Sequence, residues 1–244
     1  MTFLHLNTPS HVALRREVIA TALRMNASGI NHGKSGNVSA RLLLEGAQSD
    51  KDEKTDKAND KKVARNDFMI TPTGIDYDAT QPEQIVLMHA DGSHEGETRP
   101  SSEWRFHRDI YVARPEIGAI VHTHSTFATS LACQQRGIPA FHYMVAAAGG
   151  NDIRCAPYAT FGTQALSEAA LVALAGRSAC LLAQHGMIAC GSDLKSALAL
   201  AIEVEVLASM YWHALQLGEP PRLDDAEMQI VLEKFKTYGQ QNPQ

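Results

Sequence analysis

Gly118-Ala-Ile-Val-His-Thr-His124 is the stretch on which the reading of this chain turns. An uncharged run containing Ile120 and Val121 leads into two histidines, a pattern that reads as a buried strand. Residues two apart in a strand share a face, so His122 and His124 project to one side and Thr123 to the other. The two imidazoles are then about 7 Å apart along the backbone, close enough to converge on one metal ion. A second apolar run, Ala179-Cys-Leu-Leu-Ala-Gln-His-Gly186, ends on His185. Upstream, Glu103 stands in Pro100-Ser-Ser-Glu-Trp-Arg-Phe-His107. Three imidazoles and a carboxylate are the donor set of a catalytic zinc site.

Each piece also has an ordinary reading. With 11 histidines in the chain, one His-x-His pair carries little weight, and histidines bonded to backbone carbonyls fit the same pattern. The shared context of both runs favours the metal. Burying three imidazoles without partners costs about 1–3 kcal/mol each, and a shared ion removes that cost. His5, His11, His32, His89, His94, His107 and His213 have no partner at ligand spacing, and His142 is left open because it neighbours Tyr143.

The 244 residues, 44% hydrophobic, suffice for a sizeable core. The net charge of −5 argues against a nucleic-acid partner. No apolar run reaches the ~18 residues of a membrane span, and Met1-Thr-Phe-Leu-His-Leu-Asn7 lacks the features of a signal peptide. Cys133, Cys155, Cys180 and Cys190 form no Cys-x-x-Cys pair, which suits a reducing cytoplasm.

Helical spacing predicts helices over 10–25, 103–113, 126–135, 163–175, 193–217 and 225–236. Strands are expected at 37–44, 68–71, 85–89 and 118–124 and within 178–190, with a turn at Asp91-Gly92. Between the first two strands, from about Glu45 to Asp67, lie 7 acids and 6 bases with almost no apolar residue. That composition predicts a solvated, mobile loop. The order of elements predicts a single three-layer α/β domain over 1–244, with a mixed, largely antiparallel sheet flanked by helices.

Three short segments suit an anion. Gly33-Lys-Ser-Gly-Asn37 is rich in small residues, Thr71-Pro-Thr-Gly74 is a tight turn, and Ser101-Ser102 opens a helix beside Glu103. Singly each also reads as an ordinary turn or cap, and Gly33-Lys-Ser-Gly lacks the spacing of a P-loop.

Gly36-Asn-Val-Ser, Ile70-Thr-Pro-Thr-Gly-Ile, Pro100-Ser-Ser-Glu-Trp-Arg-Phe-His, Tyr143-Met-Val-Ala-Ala-Ala-Gly-Gly, Ala156-Pro-Tyr-Ala-Thr-Phe-Gly, Gln184-His-Gly and Glu233-Lys-Phe-Lys-Thr-Tyr-Gly occur in this order. Together they resemble the class II aldolase/adducin family, over nearly the whole chain. The resemblance implies a zinc ion on His122, His124, His185 and Glu103, with Glu103 also the acid/base. It implies a substrate phosphate on Gly36, Asn37, Thr73, Gly74, Ser101 and Ser102. Tyr143, from a neighbouring subunit of a homotetramer, would move the proton at the aldehyde end. Phe161, Phe235 and Tyr238 would shape the aldehyde pocket. The charged stretch at about 45–67 departs from the family, which usually has a tight hairpin there.

The implied activity is cleavage of a ketose 1-phosphate, L-fuculose 1-phosphate foremost, to dihydroxyacetone phosphate and L-lactaldehyde. Aldol cleavage leaves a carbanion beside a carbonyl, held by a lysine Schiff base or by a Lewis-acid metal. All nine lysines lie in polar contexts, so the histidines favour the metal. A sugar-phosphate 4-epimerase of the same fold would carry aspartate in place of Glu103. A dehydratase or decarboxylase of the family is a further alternative. A non-catalytic, adducin-like scaffold would have lost the ligands.

Overall fold

The computed structural model describes residues 9–42 and 66–237. Helix α1 (Pro9–Ala27) is followed by strands β1 (Asn37–Arg41), β2 (Phe68–Ile70), β3 (Val86–Met88) and β4 (His94–Glu95). Helix α2 (Trp104–Ala113), β5 (Ala119–Thr123), α3 (Thr126–Cys133), β6 (Ile138–Pro139) and β7 (Asp152–Ala156) come next. The chain continues through α4 (Gln164–Ala173), β8 (Ala179–Leu182), β9 (Gly186–Gly191), α5 (Leu194–Leu215) and α6 (Asp225–Phe235).

The nine strands found among the described residues make one sheet in the order β4-β3-β2-β1-β5-β9-β8-β7-β6. Only β7 and β8 run parallel, so the sheet is mixed and largely antiparallel, as expected. Alternation along the strands sorts side chains into two layers. On β5 and β9, Ala119, Val121, Met187 and Ala189 join α1, α3 and α5 in one core. Ile120, Ile188 and Cys190 join α2 and α4 in the other. The sheet is thus covered on both faces by helices.

By length and composition alone helix α5 is apolar enough to cross a membrane, although Lys195, Glu203 and Glu205 interrupt its apolar run. It packs instead along the sheet, with Ala197, Leu198, Ala201, Val204, Leu207 and Ala208 buried. Its start is fixed by a capping box in which Asp193 accepts from the Ser196 backbone N–H at 2.7 Å. Thr163 caps α4 in a similar way, through the Leu166 N–H. Helix α1 begins at Pro9, so Ser10, which by type could cap this helix, lies inside its first turn.

Three strands, β4, β6 and β7, were not expected from sequence. Two are only two residues long, and β7, Asp152-Ile-Arg-Cys-Ala156, has just one fully apolar inward position before its last residue. Most of the charged stretch, and the continuation of β1 beyond residue 42, lie outside the described residues. The end of that stretch does not fit a solvated loop. Asp67 is buried, and its carboxylate meets His89 Nδ1 at 3.0 Å. His89 also lies 3.2 Å from Glu95.

Candidate metal centre

Strand register brings the site together. His122 pairs across the sheet with Asn37 of β1 and with Ile188 of β9. His124 follows the end of β5, and His185 sits in the turn joining β8 to β9. Glu103 is the residue before α2. Two glycines permit this closeness. A Cβ on Gly186 would meet the Thr123 carbonyl at 2.4 Å and His124 at 2.9 Å. A Cβ on Gly36 would meet the His122 carbonyl at 2.5 Å. Gln184 takes a left-handed φ of 54°, unusual for a residue with a side chain, immediately before His185.

One ligand atom from each of Glu103, His122, His124 and His185 lies within 4.8 Å of the others. His122 Nε2 is 3.1 Å from His124 Nε2 and 3.1 Å from Glu103 Oε2. His185 Nε2 is 3.0 Å from Glu103 Oε1. Ligands about 2.0–2.1 Å from a tetrahedral zinc stand roughly 3.3 Å from one another, so the spacing fits such an ion. The chemistry of the donors fits as well. His122 Nδ1 donates to the Met187 carbonyl at 2.8 Å, which leaves the Nε2 lone pair pointing into the cluster. Glu103 Oε1 is buried yet makes no aligned hydrogen bond. These four residues can hold a divalent cation.

Electrostatics point the same way. Burial, then the charges of His122 and His185, lower the His124 pKa to about 4, so its imidazole is neutral near pH 7, as a ligand requires. Burial is the largest single influence on Glu103 and would raise its pKa. The charge and contacts of His122 and His185 together outweigh it and hold the carboxyl below its usual range. Any cation in the cluster acts in that same direction.

The three anion-binding candidates converge. Ser101 N–H donates to the Thr71 carbonyl at 3.0 Å and Thr73 N–H to the Arg99 carbonyl at 3.1 Å. Lys34 Nζ reaches the Gly74 carbonyl at 3.0 Å, tying the 33–37 loop to the same turn. Gly36, Asn37 and Ser101 are buried, whereas Thr73, Gly74 and Ser102 are exposed. The Asn37 side chain is turned to Glu103, whose Oε2 accepts from its Nδ2 at 2.9 Å.

The expected aldehyde-side residues differ in burial. Tyr143 opens a 3-10 helix over Tyr143–Ala148 and is 47% exposed, its ring 4.8 Å from that of His142. Phe161 is 65% exposed. Phe235 lies at the end of α6, partly buried. Tyr238 lies outside the described residues.

Sequence reading missed two supports of the site. Glu205 of α5 caps α3 from a distance, accepting from the Phe127 and Ala128 N–H groups at 2.8 Å each. This fixes the chain directly after His124. The other is His107, read only as having no partner at ligand spacing; it is fully buried in a hydrogen-bonded row with Ser39 and Asn37. Its signal was present as Glu103-x3-His107-x3-Tyr111, one face of a helix.

Residues 16–212 match the family model described as the class II aldolase and adducin N-terminal domain. A 5-methylthioribulose-1-phosphate/5-deoxyribulose-1-phosphate aldolase of Rhodospirillum rubrum is 50% identical, over 94% of each chain. An L-fuculose phosphate aldolase of Escherichia coli K12 is 47% identical over 93% of this chain and 95% of its own. A solved L-fuculose 1-phosphate aldolase superposes with a TM-score of 0.81 at 37% identity, covering 96% of this chain and 99% of its own. The chain belongs to the class II aldolase and adducin family, in its aldolase branch.

Proposed function

We propose that this aldolase cleaves a ketose 1-phosphate with an apolar terminus to dihydroxyacetone phosphate and an aldehyde, with zinc as its metal. The observation that carries the reading is the cluster of His122, His124, His185 and Glu103, spaced for one ion and joined by Asn37 to the loop that opens the anion cradle. His122, His124, His185 and Glu103 would hold the zinc. When bound, the ion supplies Lewis-acid stabilisation for the charge left beside the carbonyl. Gly36, Thr73, Gly74, Ser101 and Ser102 seat the phosphate, and Asn37 adds its backbone there while its side chain serves Glu103. Tyr143 of a neighbouring copy takes the hydroxyl proton beyond the breaking carbon–carbon bond. Glu103, loaded with a proton from solvent, then delivers it to the carbon left on the dihydroxyacetone phosphate half and returns to the ionised carboxylate, while Tyr143 passes its proton to solvent. One proton is taken and one returned.

Phe161, Phe235 and Tyr238 suit an apolar aldehyde tail. L-Fuculose 1-phosphate, giving L-lactaldehyde, ends in a methyl group. The compounds named for the R. rubrum relative, 5-deoxyribulose and 5-methylthioribulose 1-phosphates, also end in apolar groups. We take this shared tail as the substrate class. A homotetramer with sites between subunits, in the cytoplasm, completes the reading. The four cysteines are free, in keeping with a reducing compartment.

The test is a panel of ketose 1-phosphates with methyl, methylthiomethyl and hydroxymethyl ends, read by dihydroxyacetone phosphate release before and after chelation. Release from the apolar-ended members, lost on chelation and restored by zinc, supports the reading. Epimerisation at the fourth carbon without release favours the epimerase alternative, and no turnover of any member contradicts both.

A further inference from the structure

Two rows of polar side chains face each other beneath the metal centre. Glu103, the residue before α2, and His107 and Tyr111 within it recur every four residues, and Asn37, Ser39 and Arg41 alternate along β1. A helical stripe and a strand face thus run side by side. The contacts between them form an unbroken chain. Tyr111 Oη lies 2.8 Å from Ser39 Oγ, and Ser39 Oγ lies 2.7 Å from His107 Nδ1. His107 Nε2 lies 2.5 Å from Asn37 Oδ1, and Asn37 Nδ2 lies 2.9 Å from Glu103 Oε2. Ser39, His107 and Tyr111 are fully buried, and Asn37 and Glu103 nearly so.

Donor rules fix every proton in this chain. An ionised Glu103 only accepts, so Asn37 must present its NH2 to Oε2 and its carbonyl oxygen to His107. His107 must then carry its proton on Nε2 and accept at Nδ1. Ser39 therefore donates to His107 and accepts from Tyr111. All the donors point toward Glu103. The far end is anchored, because the Arg41 guanidinium sits 4.8 Å over the Tyr111 ring and donates to the Tyr111 carbonyl at 2.7 Å.

The geometry points to His107 as a positioning residue for the reaction: through Asn37 it pins Glu103 Oε2 and leaves Oε1 as the oxygen able to change partner. This rests on the acid/base role proposed for Glu103. Oε1 is the oxygen without an aligned hydrogen bond of its own. A carboxylate held at one oxygen can exchange a proton or release a metal at the other without swinging away, which is what precise proton transfer to carbon requires. Burial, and then the charge of His122, also lower the His107 pKa to about 3, so the link does not change across the working pH range.

The competing account is that His107 only packs: its ring stacks 4.6 Å from Phe106 and 6.5 Å from Phe68. Two substitutions in the full-length, zinc-loaded enzyme separate the accounts. His107→Gln keeps an N–H donor near the Nε2 position, whereas His107→Phe fills the aromatic space and donates nothing. Loss of an outer partner of this kind typically costs about 10–100-fold in activity. The expected result is a fall of that order in kcat for His107→Phe with KM little changed, and recovery of most of it in His107→Gln. Equal losses in both, or full kcat in His107→Phe, overturn the proposal. Should His107→Phe not fold, Ser39→Ala against Ser39→Thr asks the same question at the hydroxyl that sets the tautomer. Only the threonine variant should keep kcat, and the reverse order or equal rates overturn the proposal. Nitrogen-15 NMR of labelled histidine provides an arm independent of turnover. His107 should be the neutral Nε2–H tautomer from pH 5 to pH 9, and an Nδ1–H tautomer overturns the proposal whatever the substrate. If the wild-type enzyme turns over no ketose phosphate, the functional reading fails and the tautomer alone decides the hydrogen-bond chain.

Discussion

Glu103 and His122 are buried and held in position by their own chain, whereas Tyr143 and Phe161, proposed for the aldehyde side, stand 47% and 65% exposed. The two ends of the proposed site are thus built on different principles. The metal end is assembled from β1, α2, β5 and the β8–β9 turn of one chain, with donor atoms within 4.8 Å. Groups that must stabilise charge gain from a dry, fixed setting, since the cost of orienting them is met on folding. At the aldehyde end Tyr143 and Phe161 stand exposed on this chain, while Phe235 is partly buried. An exposed tyrosine is a poor place for proton transfer until something covers it. The difference fits the proposal that the phosphate-bearing half is served by one chain and the aldehyde half by a second copy.

The largest effect should come from the metal end. Removing the ion, or His122→Ala, should abolish cleavage while circular dichroism shows most of the fold retained, because both cores lie beside the cluster and not through it. Cleavage by a verified metal-free sample would remove the basis of the comparison. Glu103→Gln keeps shape and hydrogen-bonding capacity but not the base. Cleavage and hydrogen exchange on dihydroxyacetone phosphate in deuterated water should both fall by about 10²–10⁴, with ligand binding kept.

Smaller effects test how the frame holds the donors. Gln184→Val places a β-branched side chain at a φ of 54°. It should cost about 1–3 kcal/mol of stability, read by denaturant unfolding, and weaken metal binding through His185. Unchanged stability would show that this turn relaxes freely. The smallest effect concerns His89. Burial would lower its pKa, but the hydrogen bond and charge of Asp67, with a further contribution from Glu95, raise it. A raised pKa in the folded state means a contribution to stability that is full below the unfolded value near 6.5 and fades as pH rises through the folded value. Unfolding curves from pH 6 to pH 9 should show this slope, and His89→Gln should flatten it by less than about 1 kcal/mol.

Much of this was legible in the sequence because it follows local rules. The three histidine ligands lie at or just past the ends of apolar strands, and the caps of α4 and α5 carry Thr163 and Asp193 where their side chains accept from the first turn. What sequence did not reveal depends on partners distant along the chain. Asp67 reads as the end of a charged run because its partner, His89, is 22 residues away. Glu205 reads as one acid in an apolar helix, yet its partners are the N–H groups of Phe127 and Ala128. The partners of His107 are not legible because Ser39 and Asn37 are 68 and 70 residues upstream. Strand β7, half-buried at Asp152, Arg154 and Cys155, shows no clear period of its own and is set by its pairing with β8.

The division between a self-sufficient metal end and a shared aldehyde end is tested most directly by mixing two inactive proteins. His122→Ala lacks the metal end but keeps Tyr143, and Tyr143→Phe is the converse. Each alone should be nearly inactive in cleavage, while Tyr143→Phe should still exchange a hydrogen on dihydroxyacetone phosphate. After subunit exchange, some sites would combine an intact cluster from one chain with an intact tyrosine from another. The account predicts that cleavage reappears in the mixture, in proportion to such sites. No recovery, with exchange of subunits demonstrated by mass, would contradict it.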